Sequence, residues 1–114
     1  EEKLSVITAQ QYIKQAQQAE PEQATALLIQ ASQAYITEQS FNQALWLANH
    51  LNQLGVSPQQ EYQLRLIQAE SLVALDELEL AYQEISKAEK LSLSNKFKHD
   101  VKFNLGAYQQ HKMY

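Results

Sequence analysis

Shifted by 37 residues, the separation of Pro21 and Pro58, the sequence falls onto itself. Leu27 lands on Leu64, Tyr35 on Leu72, Phe41 on Leu78, Ala44 on Ala81, Ala48 on Ile85 and Leu54 on Leu91. Ser32 lands on Ala69, and a further step of the same length reaches Gly106, so one small-residue position occurs three times. Small residues there let two helices approach closely, and the large positions beside them fill the remaining space. Self-similarity at this period marks stacked supersecondary units, each burying its apolar face against the next.

The units are helical. Gly and Pro number only two each, and Ala, Leu, Gln and Glu, which lose little rotamer freedom in a helix, dominate. No stretch alternates apolar and polar residues long enough to make a sheet. Thr8 with Gln11, Ser40 with Gln43, Ser57 with Gln60 and Asp76 with Glu79 have the spacing of capping boxes. Pro21 and Pro58 suit the first helical turn, and Gly55 suits a helix end. These signals predict helices over about 9–19, 22–38, 41–54, 58–75, 77–90 and 95–112, the last capped by Ser94 or Asn95. The links are one to five residues, so consecutive helices pack antiparallel. The expectation is an all-α single domain over 1–114, with about six helices stacked in antiparallel pairs.

The pattern of a small residue, then a large one, then a large one opening the second helix, then Ala resembles the tetratricopeptide (TPR) repeat. Ser32, Tyr35, Phe41 and Ala44 carry it in the first unit, and Ala69, Leu72, Leu78 and Ala81 in the second. The period exceeds the usual 34. Leu28 and Ala31, then Arg65 and Gln68, stand where that family has a Trp–Leu pair, so these are divergent, TPR-like repeats. The last helix aligns with the first helix of a third unit through Val101, Leu105 and Gly106. It is either the polar cap that such arrays need or the start of further repeats. The start at Glu1, with no basic and apolar leader, reads as that of a processed or excised piece.

Chemistry is hard to place on this chain. Gly55 and Gly106 are too far apart for a phosphate-binding loop, and there is no cysteine for thiolate, disulfide or Cys-based zinc chemistry. His99 and His111 would lie roughly 18 Å apart on one helix, and His50 suits the negative end of the third helix dipole. Asp76, Glu77 and Glu79 lack the glycine and spacing of a calcium loop and read as charges near a helix start. Residues 90–114 carry five lysines against Asp100 alone. With the chain at −4, the rest carries −8, so the basic end complements its own neighbours rather than nucleic acid. The expectation is no enzyme, no cofactor, no metal, no nucleic-acid partner and no membrane span. Trp46 points almost opposite the stripe Phe41, Ala44, Leu45, Ala48 and Leu51. It is either an interaction hot spot or, as the favoured reading, lies under the first helix with Tyr12, Ile13 and Ala16.

The opening Thr8-Ala9-Gln10-Gln11-Tyr12-Ile13, then Ala16, Ala19, Leu27-Leu28, Ala34-Tyr35, Gln43-Ala44-Leu45 and Leu51-Asn52-Gln53-Leu54, resembles a known family. It is the N-terminal helical domain of the LpoA lipoproteins, outer-membrane activators of a penicillin-binding protein in Gram-negative bacteria. The resemblance implies a periplasmic protein tethered to the outer membrane through an acylated cysteine upstream. It also implies proximity to peptidoglycan and, through the full-length protein, a bifunctional class A penicillin-binding protein as partner. The helical part would then be a non-catalytic interaction and spacer domain. Two other readings stay open: a cytosolic TPR adaptor that binds a peptide or helix, and a regulatory segment of a larger protein. In a TPR arrangement Ile29, Gln33, Ile36, Leu66, Glu70, Val73 and Phe103 line the groove, and with Trp46 they are the candidate partner-binding residues. The chaperone-type carboxylate clamp, Lys and Asn on the first helix of a unit, is replaced by Ile29, Gln33, Leu66 and Glu70.

Overall fold

The computed structural model describes residues 7–95. Five helices follow one another: α1 (Ala9–Gln17), α2 (Pro21–Thr37), α3 (Phe41–Leu54), α4 (Pro58–Ala74) and α5 (Leu78–Asn95). No strand occurs among the described residues. The first four helices match the sequence expectation to within two residues at each end. The fifth does not stop near Lys90 but continues to Asn95, through the residues expected to cap a sixth helix. The physical reason lies in the repeat. Helix α3 ends at Gly55, whose φ of +93° an L side chain rarely adopts, whereas 37 residues on stands Ser92, buried within a continuous helix. The expected helix over 95–112 lies outside the described residues.

Two of the capping boxes are formed. The Gln11 N–H donates to Thr8 Oγ1 at 3.2 Å while the Thr8 N–H donates to Gln11 Oε1 at 2.9 Å. Ser57 and Gln60 make the same exchange at 3.2 and 3.1 Å, and Pro21 and Pro58 each occupy the first turn of a helix. The other two boxes do not form. Ser40 has ψ of 68°, away from the extended backbone that aims a capping oxygen at the helix, and its side chain makes no cap bond. Asp76 has φ of +64° and belongs to the turn that closes α4 rather than to the start of α5.

That turn is the clearest structural sign of the repeat. At the end of α2, Gln39 takes φ of +63°, its N–H donates to Ile36 O at 2.9 Å, and the Ser40 N–H donates to Tyr35 O at 2.8 Å. At the end of α4, Asp76 N–H donates to Val73 O at 3.0 Å and Glu77 N–H to Leu72 O at 2.8 Å. Every atom in the second set lies 37 residues after its counterpart. Both are Schellman turns, which satisfy carbonyls that a helix end leaves without partners. A non-glycine residue in the left-handed region costs on the order of 1–2 kcal/mol, and the two bonds offset it.

Each helix packs on the next in sequence, and α2 also meets α4 directly. Ala44 and Ala81, at matching positions, are fully buried, as are Ser32 and Ala31. Ser32 keeps its hydroxyl satisfied by donating to Leu28 O at 3.2 Å. In the second unit Arg65 and Gln68 make polar links to the neighbouring helices. Gln68 Oε1 accepts from Asn52 Nδ2 of α3 at 2.6 Å, and Arg65 reaches Glu84 of α5 at 2.8 Å and Glu61 at 3.0 Å.

Candidate protein-interaction site

Helix α1 is fixed to α2 at its start. The Ala9 N–H donates to Glu38 Oε2 at 2.8 Å, so the end of α2 supplies a carboxylate to the positive end of α1. Ala9 and Ala16 are buried, and Gln10 Nε2 reaches Tyr35 Oη at 3.4 Å. With its apolar face spent on α2, α1 does not cover Trp46, which stays 66% exposed. This corrects the expectation that Tyr12, Ile13 and Ala16 close over the indole. Only Ile13 shares a surface with it.

Ile13, Tyr35, Asn42, Gln43, Trp46 and Leu47 line an open groove of about 360 Å³. The indole is held by its own helix: the His50 ring stacks on it with centroids 5.2 Å apart and planes 5° from parallel. The six lining side chains include no carboxylate, ammonium or imidazole. Two aromatic residues, two aliphatic residues and two side-chain amides give apolar area plus a few directional hydrogen bonds, which is the chemistry of binding. A second cleft of about 350 Å³, on another side of α1, is lined by Gln33 with neighbours that include Ile7, Tyr12 and Glu38.

The structure does not gather the remaining candidate residues into one exposed groove. Ile29 and Ile36 are 7% and 9% exposed and sit in one core with Leu64 and Ile67 of α4. Their burial leaves them little surface to offer a partner. Leu66 packs beside Tyr62 and Ala88, and Val73 beside Leu72 and Ala81; both are half-buried. Gln33 and Glu70 are exposed, and Phe103 lies outside the described residues. Trp46 was legible as outward-facing from its helical angle. Asn42 and Gln43, one turn before Trp46 on α3, were legible from helical spacing but not singled out, whereas Tyr35 comes beside the indole only through the packing of α2 on α3.

Elsewhere Arg65 ties α4 to α5 through Glu84. Burial alone would lower the Arg65 pKa, but hydrogen bonds and charge from Glu84 and Glu61 outweigh it and hold the guanidinium above its ordinary value. Lys87 adds a contact of 3.6 Å to Glu84. No group of three or more His, Cys, Asp or Glu is placed to hold a metal ion among the described residues. No helix among them is long and apolar enough to cross a membrane. No protein family, curated protein or solved structure matches the chain.

Proposed function

We propose that this chain is a TPR-like interaction and spacer domain, built of six helices when 95–112 is included, and that it binds protein rather than transforming substrate. The observation that carries this reading is the uncharged groove around Trp46, set on a scaffold whose interhelix turn recurs after 37 residues. A repeated scaffold holds its ends at a fixed separation, and an exposed Trp beside Tyr and Ile is the composition of an interface hot spot.

The sequence resemblance to LpoA lipoproteins supports a place for this domain. In that reading the parent protein is tethered to the outer membrane, stands in the periplasm and stimulates a class A penicillin-binding protein in peptidoglycan synthesis. This domain supplies reach, with each stacked helix pair adding on the order of 10 Å. Stimulation requires contacts that differ between resting and active synthase, and those belong to another part of the parent protein. The test mixes purified synthase and lipid-linked precursor with this chain, with the longer parent protein, or with that protein lacking this domain. Stimulation by the parent and little by this chain is expected. Strong stimulation by this chain alone refutes the spacer role. No stimulation by any version refutes the family reading and leaves the general adaptor, which the exposure of Trp46 equally favours.

A further inference from the structure

The hydrogen-bonding character of the groove around Trp46 narrows what can occupy it. Each of its four polar side chains has a donor to offer. Among the described residues, the Trp46 indole N–H, which can only donate, and the side-chain amides of Asn42 and Gln43 have no hydrogen-bond partner within the protein. Tyr35 Oη already accepts from Gln10 Nε2 at 3.4 Å, which leaves the phenolic proton to be given. Between these donors lie the two aromatic rings and the aliphatic side chains of Ile13 and Leu47. The His50 ring, 5° from parallel with the indole, holds that wall in place before any ligand arrives.

The fitting occupant has an apolar body, free carbonyl oxygens and no charge. Most of the ways a protein segment is bound fail that description. An added strand needs a sheet edge, and no strand occurs among the described residues. A helix spends its carbonyls on its own N–H groups, so the four donors would meet only its side chains. A phosphorylated or acidic segment needs arginine or lysine, and neither lines the groove. A polyproline II segment makes no internal hydrogen bonds, so its carbonyls are free to accept, and proline has no N–H that would need an acceptor.

We propose that the groove binds an uncharged, proline-rich segment of another protein in the polyproline II conformation. Trp46 and Tyr35 pack on its pyrrolidine rings, while Trp46 Nε1, Tyr35 Oη and the Asn42 and Gln43 amides donate to its carbonyls. The segment is not this chain's own: its two prolines, Pro21 and Pro58, each occupy the first turn of a helix. The proposal rests on the reading of this groove as a protein-interaction site and adds the class of partner.

The donors can be watched directly in the isotope-labelled full chain, through the nuclear resonances of the Trp46 indole N–H and the Asn42 and Gln43 side-chain amides. The probes are decaproline with acetylated and amidated ends, a helical peptide of alanine and glutamine, and a neutral glucose tetramer. Decaproline is expected to shift these resonances downfield and saturably, and the other two are not. Trp46→Ala, at an exposed site, weakens decaproline at least about tenfold. Tyr35→Phe keeps the ring but removes a donor and weakens it about two- to tenfold. Leu93→Ala, which trims an exposed apolar residue of α5, leaves binding unchanged. Decaproline that fails to saturate these resonances, or binds equally well to Trp46→Ala, overturns the proposal. Preference for the helical peptide at the same resonances also overturns it, while leaving the groove a protein-interaction site. Preference for the glucose tetramer overturns both. The synthase assay involves none of these probes, so the spacer reading stands or falls separately.

Discussion

The amide pair between α3 and α4 gives a prediction that separates a hydrogen bond from the burial around it. Gln68 is 4% exposed and accepts from Asn52 Nδ2 at 2.6 Å, while the other side-chain atom of Asn52, Oδ1, is buried with no hydrogen-bond partner in the protein. Replacing either residue alone with Leu leaves the remaining amide buried and unmatched, a cost of about 1–3 kcal/mol. The new side chain offsets part of that, since fully burying Leu contributes about 1.5–3 kcal/mol and Asn52 is only half-buried. Replacing both removes the abandoned partner in each case and the unmatched Asn52 oxygen as well. The double variant is therefore expected to exceed the sum of the single effects by at least about 1 kcal/mol and to equal or surpass the unaltered protein. Urea unfolding of the four proteins reads this directly, because a slope of about 1–3 kcal/mol/M converts such a difference into a midpoint shift on the order of 0.5–1 M. A double variant whose change is the simple sum of the two singles would show that the pair is not coupled, and the reasoning would fall.

Three further outcomes are open to the same measurement. Thr8→Ala and Ser57→Ala should each cost about 0.5–2 kcal/mol, whereas Ser40→Ala should cost almost nothing, because its hydroxyl makes no cap bond. Equal losses at all three sites would refute the turn geometry at Ser40. Ala44→Leu and Ala81→Leu should each cost about 1–3 kcal/mol by overpacking fully buried positions, and a loss at one site alone would break the structural equivalence of the two units. Gln39→Gly should stabilise by about 0.5–1 kcal/mol, relief of left-handed strain less the entropy of glycine, and a destabilised variant would contradict the positive φ.

The sequence disclosed what depends on residues three or four apart. Thr8 with Gln11 and Ser57 with Gln60 are local exchanges, and the structure contains both. The starts of α3 and α5 fall within one residue of the expected positions, but their caps were misread, because a Schellman turn is decided by backbone torsion at Gln39 and Asp76, neither of them glycine, and a serine or acid there mimics a cap. Ile29 and Ile36 were legible as apolar but not as buried, since the core they share with Ala9 of α1, Leu51 of α3 and Leu64 and Ile67 of α4 is assembled from distant parts of the sequence. Trp46 was legible as outward from the 100° turn of a helix. Its groove was not, because the direction of α1 depends on a bond between Ala9 and Glu38, 29 residues apart.

The chain contains one tryptophan, and the fold has put it where it is blind to folding. With two-thirds of its surface in water, the Trp46 indole passes on unfolding from one wet environment to another, so its emission wavelength is a poor witness of the core. What unfolding does change is the ring of His50 laid flat against it, which makes intensity, rather than colour, the signal of an intact α3. Colour is left for a different event. Whatever settles into the groove beside Ile13 and Tyr35 takes the indole out of water and shifts its emission to the blue, so the unlabelled protein carries its own occupancy probe.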